Sequence, residues 1–194
     1  MCGRYQFIAE QCDEIRRIAQ IIDKKYGAGQ WQSGEIRPSA KAPVLLRHRT
    51  GEISPELMRW GYQFPGTLVI NARAETAAEK QLFRESVYTH RRLVPSTGFY
   101  EWDAAKRKYL FTLPDSDVLY MAGLYKRHGG EDCYCILTTA SNDSMCSVHD
   151  RMPLILTGER THAWLADGTG AAYFLSAQSP RLVRQSLDMQ TSLW

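Results

Sequence analysis

The clearest pattern of hydrophobic and polar positions lies near the start of the chain and predicts an amphipathic helix over about residues 9–26. Apolar positions recur there with a period near 3.6 residues, and charged side chains fill the opposite face. The apolar positions are Ile8, Cys12, Ile15, Ile18, Ala19, Ile22 and Tyr26. Gly27 and Gly29 follow the pattern and are expected to end the helix. The apolar stripe indicates a helix face that packs on the protein core.

Most of the remaining pattern is typical of short β-strands. Runs rich in β-branched and aromatic residues recur between turn residues such as those in LPDSD and RHGGED. These runs cover residues 43–48, 56–64, 68–71, 91–97, 108–113, 118–125, 133–139 and 153–157, and residues 2–8 form a further candidate strand. The chain is therefore expected to be rich in β-sheet.

Two more helices are predicted, over residues 74–89 and 157–166. Thr157 is the expected N-cap of the later helix, and a short helical turn is expected from Ser141. The elements together define an α+β fold, with mostly antiparallel, twisted sheets and about three helices packed on them. Neither internal repeats nor long linkers interrupt the pattern, so residues 1–194 are expected to form a single domain.

Composition and charge limit the function classes. Hydrophobic residues make up 44% and charged residues 23% of the 194 residues, which is typical of a globular protein. We expect a cytoplasmic protein, because the sequence has no apolar run of about 18 residues and no secretory signal. The net charge of +3 is small, so any contact with nucleic acid must come from clustered arginines.

Five cysteines are present, and their number and spacing do not favour a disulfide framework or a zinc site. Cys133 and Cys135 lie two residues apart in an apolar run, so both thiols should point to one face of a strand. Cys12, Cys133, Cys135 and Cys146 are interpreted as core residues. Neither a metal nor another cofactor is required by any motif.

Cys2 differs from the other cysteines, because removal of Met1 would place an amine and a thiol on neighbouring carbons. A free α-amine has a pKa of about 8, against about 10.4 for lysine, so near neutral pH it is roughly two hundred times richer in the nucleophilic form. A 1,2-aminothiol captures an aldehyde as an imine and then closes through sulfur to a thiazolidine. Taken alone, Cys2 is better interpreted as an ordinary small residue near a frayed chain terminus, so the case depends on the rest of the chain.

Four polar clusters occur where a β-rich core would favour apolar residues: INARAET, GFYEW, TTASN and HDRMPLIL. Asn71 and Arg73 are two apart on an extended segment, so they should share a face. His149 and Arg151 should share a face for the same reason, because Pro153 favours extended geometry before it. Each cluster has a structural interpretation as turn residues or surface ion pairs, but their joint occurrence favours a site.

The ordered set MCGRY, WGYQFPG, INARAET, GFYEW, MAGLY, LTTASN and HDRMPLIL resembles the SOS-response-associated peptidase (SRAP) family. The resemblance spans about residues 1–157. It implies a sensor of abasic sites in single-stranded DNA that forms a covalent crosslink through Cys2 and shields the lesion during the DNA damage response. It also implies autopeptidase removal of Met1 and a lyase-like activity. We further expect a monomer, associated with the nucleoid during DNA damage.

The resemblance assigns catalytic roles to four residues. It implies that Cys2 forms the thiazolidine with the ring-opened sugar and that Asn71 holds the terminal amine and the sugar. Glu101 would transfer protons, in Met1 removal and in crosslink reversal. His149 would help to open the sugar ring or protonate the leaving oxygen. A group that exchanges protons near neutral pH suits imine chemistry.

The resemblance also implies a DNA-binding set. Arg4, Arg73 and Arg151 would hold phosphates, for which guanidinium forks are well suited. Trp60 and Trp102 would shape the DNA path, and aromatic faces suit the unpaired bases of a single strand.

Two competing hypotheses remain open. Cys2 could be the nucleophile of an N-terminal-cysteine thiol peptidase or amidase without a DNA role. The chain could instead be a non-catalytic single-strand binder in which Cys2 is incidental. The arginines disfavour the first, and the set Asn71, Glu101 and His149 disfavours the second.

Overall fold

The computed structural model describes residues 2–166 and 170–187. Its strands are β1 (Arg4–Phe7), β2 (Gly34–Ile36), β3 (Lys41–Arg47), β4 (Ile53–Trp60), β5 (Tyr62–Phe64), β6 (Thr67–Val69), β7 (Asn71–Arg73), β8 (Arg91–Ser96), β9 (Gly98–Trp102), β10 (Lys108–Thr112), β11 (Leu119–His128), β12 (Glu131–Ala140), β13 (Arg151–Pro153), β14 (Ile155–Leu156) and β15 (Val183–Ser186). Its helices are α1 (Asp13–Tyr26), α2 (Ala74–Ala77), α3 (Arg84–Thr89), α4 (Glu159–Leu165) and α5 (Ala171–Leu175).

A closed circuit of strands forms the centre of the molecule. Strands β3, β4, β12, β11 and β8 pair in that order, and β8 pairs again with β3. Within this circuit β4 and β12 run parallel, and the other pairs are antiparallel. Closure removes exposed sheet edges, as in other small barrels. Strand β7 is added alongside β12 in parallel orientation.

A second sheet, of five antiparallel strands in the order β15-β10-β9-β1-β2, lies beside the barrel. The α+β class with mostly antiparallel sheets is therefore confirmed. The helices are short apart from α1, whose buried residues Ile15, Ile18, Ala19 and Ile22 all belong to the predicted stripe. This helix contacts β3 and β4 of the barrel.

The centre of strand β12, residues 133–137, is apolar at every position because the strand is buried on both faces. Tyr134 and Ile136 lie in one hydrophobic cluster, whereas Cys133, Cys135 and Leu137 lie in a second cluster on the opposite face. Side chains alternate between the faces of a strand, so a strand buried on both sides needs apolar residues at every position. The prediction that Cys133 and Cys135 share a buried face is confirmed. No disulfide links the cysteines, all of which are free.

The chain passes from the barrel to the second sheet at a corner between β8 and β9. Gly98 has a φ of 156°, and a Cβ there would lie 2.8 Å from Leu110 Cδ1 and 3.0 Å from the Phe111 carbonyl oxygen. The Ser96 hydroxyl donates to the Gly98 carbonyl oxygen at 2.6 Å and thereby braces the corner. This turn positions Glu101, which lies three residues further along β9.

Several predicted boundaries were wrong. Helix α1 begins at Asp13 rather than near residue 9, with Cys12 as an N-cap in extended conformation. The predicted strand over residues 56–64 is divided at Gly61, whose φ is 109°. Strands β2, β9 and β15 and helix α5 were not predicted. In β9 the buried Glu101 interrupts the alternation that would have indicated a strand.

The helix predicted over residues 74–89 is two short helices. Ala77 and Phe83 are both buried in the same hydrophobic cluster. Six residues of continuous helix would turn through about 600°, which leaves these side chains about 120° apart around the axis. The interruption between α2 and α3 allows the side chains of both Ala77 and Phe83 to reach the core.

Two smaller predictions were also wrong. Gly158 rather than Thr157 is the N-cap of α4, so this helix has no side-chain hydrogen bond at its N-cap. Cys146 is exposed, and Cys12 is only partly buried, so neither is a fully buried core residue. Across residues 2–166 and 170–187, no helix is both long and apolar enough to span a membrane.

The substitution Gly98→Ala tests the corner. We expect it to lower the free energy of unfolding by about 2–4 kcal/mol, since strain at positive φ adds to a clash with backbone. Gly130→Ala is the matched control, because Gly130 also has a positive φ of 83° but open space around it. Urea unfolding of both variants provides the measurement. Equal losses of stability would contradict the assigned role of Gly98.

Candidate active site

Cys2 lies in the core just before β1 and is 1% exposed. Its thiol makes a weak 3.9 Å contact with the Arg4 carbonyl oxygen. The side chain of Asn71 donates from Nδ2 to the Cys2 carbonyl oxygen at 2.9 Å. Asn71 Oδ1 is buried and has no hydrogen-bond partner in the described part of the chain. An acceptor is thus left beside the backbone of Cys2.

Strand β7 sets the direction of the Asn71 side chain. It pairs with β12 through Asn71 and Ile136, and Ala72 is buried on its other face. Asn71 and Arg73 therefore lie on one side of β7, as their spacing predicts. Asn71 is partly buried at Cys2, while Arg73, farther along, is exposed.

Glu101 and His149 form the second half of the cluster. Glu101 is 4% exposed, and its Oε1 lies 3.9 Å from His149 Nε2. Strand β9 pairs with β1, and this pairing brings Glu101 close enough for its charge to act on Cys2. The structure therefore brings together all four residues predicted to be catalytic.

His149 has a partner for each of two protonation states. Its Nδ1 lies 3.0 Å from the Arg151 backbone nitrogen and 2.8 Å from Asp150 Oδ1. With Nδ1 unprotonated, the ring accepts the Arg151 N–H and keeps its proton on Nε2, toward Glu101. With both nitrogens protonated, Nδ1 faces the Asp150 carboxylate. A histidine supported in both states is suited to proton transfer.

The loop that carries His149 is held by Asn142. This side chain donates to the carbonyl oxygens of Ser179 and Pro180 at 3.0 and 2.9 Å, and it accepts from the Ser144 backbone nitrogen at 3.1 Å. The expected turn after Ser141 is present in this segment. The TTASN motif therefore has a structural explanation, which is to position the loop before His149.

The environment of Cys2 favours the neutral thiol. Burial raises the pKa of this thiol well above its ordinary value, and the negative charge of Glu101 raises it further. A thiolate is the reactive form of cysteine. The thiol is therefore a poor first nucleophile here, whereas a freed α-amine would react without deprotonation of sulfur.

A pair of buried tyrosines was missed by sequence reasoning. The hydroxyls of Tyr5 and Tyr134 lie 2.6 Å apart, and both side chains are fully buried in the cluster that contains Cys2. Burial raises the pKa of both tyrosines. Both residues fit the apolar alternation of their strands, so the sequence carried no signal of a polar pair.

Trp60 belongs to the core rather than to a DNA-binding surface. It is 0% exposed, its ring stacks on Tyr134 and contacts Tyr5 edge-on, and its Nε1 donates to the Ile70 carbonyl oxygen at 3.0 Å. A fully buried ring offers no face to a base. Its expected place in the DNA-binding set is therefore wrong, and it instead supports the tyrosine pair.

Arg151 is engaged within the protein. Its Nη1 and Nη2 donate to the two carboxylate oxygens of Glu75 at 2.7 and 2.9 Å, and Nη2 also donates to the Thr138 carbonyl oxygen at 2.6 Å. The side chain is only 14% exposed. In this structure the guanidinium fork joins α2 to β12 and β13, and its expected contact with a phosphate stays a prediction.

Arg4, Arg73 and Trp102 remain accessible. Arg4 Nη1 lies 3.1 Å from Glu35 Oε1, and its guanidinium lies 5.3 Å from the centre of the Trp102 ring. Its side chain is 37% exposed. Arg4 and Trp102 lie on the paired strands β1 and β9, whereas Arg73 lies on β7, two residues from Asn71. The described ranges contain no group of three or more His, Cys, Asp or Glu residues placed to ligate a metal ion.

The barrel, the buried cysteine next to the chain start and the Asn-Glu-His cluster around it define a class of protein. The chain belongs to the SOS response associated peptidase (SRAP) family, whose model matches residues 1–188.

Curated relatives extend from bacteria to vertebrates. The abasic site processing protein YoqW of Bacillus subtilis is 34% identical over 182 residues, which cover 85% of this chain and 80% of the relative. The abasic site processing protein YedK of Escherichia coli is 26% identical, covering 85% and 79% of the two chains. The abasic site processing protein HMCES of Xenopus tropicalis is 29% identical, covering 87% and 67%.

Solved structures share the fold. A crystal structure of a Bacteroides thetaiotaomicron protein superimposes with a TM-score of 0.78 at 23% identity, covering 97% of this chain and 93% of the other. A Bordetella bronchiseptica protein superimposes with a TM-score of 0.74 at 24% identity, covering 97% and 100%.

The Glu75–Arg151 pair predicts a pH-dependent contribution to stability. Hydrogen bonds from Arg151 lower the pKa of Glu75. A carboxyl whose pKa is lower in the folded state stabilises the fold above its unfolded pKa of about 4.3, and this contribution is lost as pH falls through the folded pKa. Glu75→Gln should therefore reduce the free energy of unfolding at neutral pH by about 1 kcal/mol, discounted for partial exposure.

Urea unfolding of the wild type and of Glu75→Gln measures this effect. The measurements cover about pH 3–7, a range that brackets the unfolded-state carboxyl pKa of about 4.3. The difference should shrink as the solution becomes acidic. Glu79→Gln is the control, since Glu79 is an exposed carboxyl in the same segment. A difference that stays constant down to the lowest pH would show that the pair does not titrate as described.

Proposed function

We propose that this protein captures abasic sites in single-stranded DNA as a covalent crosslink to Cys2. The observation that carries the proposal is the convergence of Asn71, Glu101 and His149 on Cys2 from three separate segments of the chain. Relatives named as abasic site processing proteins support the choice of lesion. An opened abasic sugar presents an aldehyde, which is the partner that a 1,2-aminothiol requires.

The first step is imine formation by the α-amine of Cys2 after Met1 has been removed. The nitrogen attacks the aldehyde carbon, and the carbinolamine then loses its oxygen as water. Asn71 Oδ1, a buried acceptor beside Cys2, is placed to orient the amine. His149, with a partner in each protonation state, protonates the departing oxygen.

The second step closes the thiazolidine ring. With the imine protonated on nitrogen, sulfur bonds to the imine carbon, the C=N electron pair returns to nitrogen, which keeps its proton, and the thiol proton passes to Glu101. The raised pKa of the Cys2 thiol fits this order, because sulfur gives up its proton only as the new C–S bond forms. Both amine and sulfur are consumed, so the product is more stable than an imine.

Removal of Met1 is the condition for this chemistry. While Met1 remains, the Cys2 nitrogen is an amide and cannot form an imine. We assign the proton transfers of autoproteolysis to Glu101, which is buried and close enough to Cys2 for its charge to act on the thiol. The same carboxyl would return a proton to sulfur in crosslink reversal, and a lyase-like reaction at the sugar is a further consequence of the imine.

The environment of Cys2 disfavours the thiol peptidase or amidase alternative. Such an enzyme uses a readily formed thiolate against a carbonyl group. Here burial and the charge of Glu101 oppose thiolate formation. Aldehyde capture that begins with the amine does not need a thiolate.

A crosslinking assay tests the proposal. Protein with a verified Cys2 terminus should give a stable shifted band on a denaturing gel with a single-stranded oligonucleotide that carries one abasic site. Cys2→Ala and a form that retains Met1 should give no stable band. Failure of the verified wild-type protein to form the band would refute the proposed function.

Cys2→Ser separates the two steps of the mechanism. This variant keeps the α-amine but has no thiol, so it should form an imine without closing the thiazolidine. The expected result is a band that appears only after borohydride reduction. A stable band without reduction would show that sulfur is not needed.

Glu101→Gln tests the assignment of proton transfer in processing. We expect the variant to retain Met1 in a larger fraction of molecules, because the amide cannot accept a proton. Intact mass spectrometry of freshly purified protein measures that fraction. Glu131→Gln is the control, because the side chain of Glu131 is 43% exposed. Normal processing of Glu101→Gln would remove Glu101 from the peptidase step.

A further inference from the structure

The hydroxyls of Tyr5 and Tyr134 form a polar pair inside an otherwise apolar cluster. The two oxygens lie 2.6 Å apart, and both side chains are 0% exposed. Within residues 2–166 and 170–187 each hydroxyl is the only hydrogen-bond partner of the other. Only one of the two protons can lie between the oxygens, so one hydroxyl of the pair keeps a second proton to donate.

Packing alone gives little reason for these hydroxyls. Trp60 stacks on the Tyr134 ring and meets the Tyr5 ring edge-on, while its own Nε1–H donates to the Ile70 carbonyl oxygen. Phenylalanine at both positions would keep these ring contacts. Replacing both partners of a buried hydrogen bond by apolar groups of the same shape is often nearly neutral for stability. The pair therefore invites an explanation in the chemistry of its neighbours.

The reactive neighbour of the pair is Cys2. Tyr5 is three residues from Cys2, and both tyrosines share its hydrophobic cluster. Burial raises the pKa of both tyrosines, and negative charge on the Cys2 sulfur is close enough to raise both pKa values further. Both hydroxyls are therefore protonated at neutral pH. The pair can donate a hydrogen bond, but it cannot act as a base.

The sulfur step of the proposed chemistry needs such a donor. Glu101 takes the thiol proton during ring closure, but its negative charge also opposes electron density on sulfur. Reopening meets the same difficulty, because the C–S bond breaks and its electron pair returns to sulfur while the nitrogen lone pair forms the C=N bond. A preorganised O–H dipole in a buried site stabilises such charge more strongly than it would in water.

We propose that the Tyr5–Tyr134 pair directs its second proton toward the Cys2 sulfur and thereby speeds both closure and reopening of the thiazolidine. The inference rests on the proposed function, because it concerns the second step of that chemistry. The pair acts through Cys2, so the two tyrosines are positioning residues. The amine step, in which nitrogen rather than sulfur reacts, does not use them.

Tyr5→Phe and Tyr134→Phe test the pair, in protein with a verified Cys2 terminus. Samples reduced with borohydride at successive times report all captured abasic DNA, and unreduced samples report the stable crosslink alone. We expect both variants to form the imine at the wild-type rate and to close the ring roughly tenfold more slowly. Reopening should slow by a similar factor, measured as transfer of protein from a labelled crosslink to excess unlabelled abasic oligonucleotide.

Tyr62→Phe is the matched control. Tyr62 is also 0% exposed, but its hydroxyl donates to the Leu124 carbonyl oxygen at 3.0 Å and its ring lies in the other hydrophobic cluster. Cys2→Ser gives a second control, because it has no sulfur. Adding Tyr134→Phe to Cys2→Ser should leave the rate of borohydride-trapped imine formation unchanged, whereas a displaced chain terminus would slow it.

Thermal unfolding confirms that each variant is folded. If a single phenylalanine variant does not fold, the double variant Tyr5→Phe/Tyr134→Phe replaces it, because that variant leaves no hydroxyl unpaired. The double variant should close the ring no more slowly than the slower single variant, since the two hydroxyls act as one unit.

The inference is overturned if either phenylalanine variant closes and reopens the ring at the rates of Tyr62→Phe. It is also overturned if either variant slows imine formation as much as closure, or if Tyr134→Phe slows imine formation in Cys2→Ser. These results leave the proposed function standing as long as the wild type forms the Cys2 crosslink. Absence of that crosslink would instead remove the proposed function itself.

Discussion

The hydrogen bond from Asn71 Nδ2 to the Cys2 carbonyl oxygen ties the start of the chain to the barrel, and the site depends on it. A terminal segment is ordinarily the least ordered part of a fold. Here it is fixed by this bond, by the pairing of β1 with β2 and β9, and by burial of Cys2 in the core. One hydrogen bond contributes only about 1 kcal/mol of stability. Its greater effect is to determine where the Cys2 nitrogen lies.

Chemical selectivity follows from the surroundings of that fixed terminus. Burial and the Glu101 carboxylate oppose ionisation of the Cys2 thiol, and for this reason we propose that the amine reacts first. The same carboxylate, with His149 nearby, supplies a route for protons in both proposed steps. A site built for thiolate chemistry would instead place positive charge near the sulfur. The raised pKa of the Cys2 thiol therefore supports the proposal of aldehyde capture over thiolate-based peptidase catalysis.

Much of the fold could be predicted because its signals are local. The apolar stripe of α1 and the runs of β-branched and aromatic residues in strands such as β12 depend on neighbouring residues, and the structure confirms them. The strand β9 was missed because Glu101 is buried for reasons that lie elsewhere in the chain. The break between α2 and α3 follows from the cluster that Ala77 and Phe83 join, which no local pattern reveals.

The sequence singled out the four residues at the candidate site through the chemistry of Cys2 and the polar clusters, but their separate roles came from family resemblance and remain proposals. Their meeting depends on contacts such as that between Cys2 and Asn71, which are 69 residues apart. Tertiary structure also explains the correction at Trp60 and the internal pairing of Arg151. Trp60 is enclosed by Tyr5 and Tyr134, and the Arg151 fork is taken by Glu75. Neither the tyrosines around Trp60 nor the pairing of Arg151 with Glu75 could be predicted from spacing along the sequence.

The most direct test of the account is the chemical state of Cys2 within the purified crosslink. The complex would be denatured, treated with an excess of a thiol-alkylating reagent and digested, and the peptides would be sequenced by mass spectrometry. The account predicts that the sugar remnant is attached to the N-terminal peptide and that Cys2 resists alkylation, while the other cysteines are alkylated. An alkylated Cys2 that still carries the sugar, or a remnant attached to another residue, would contradict it.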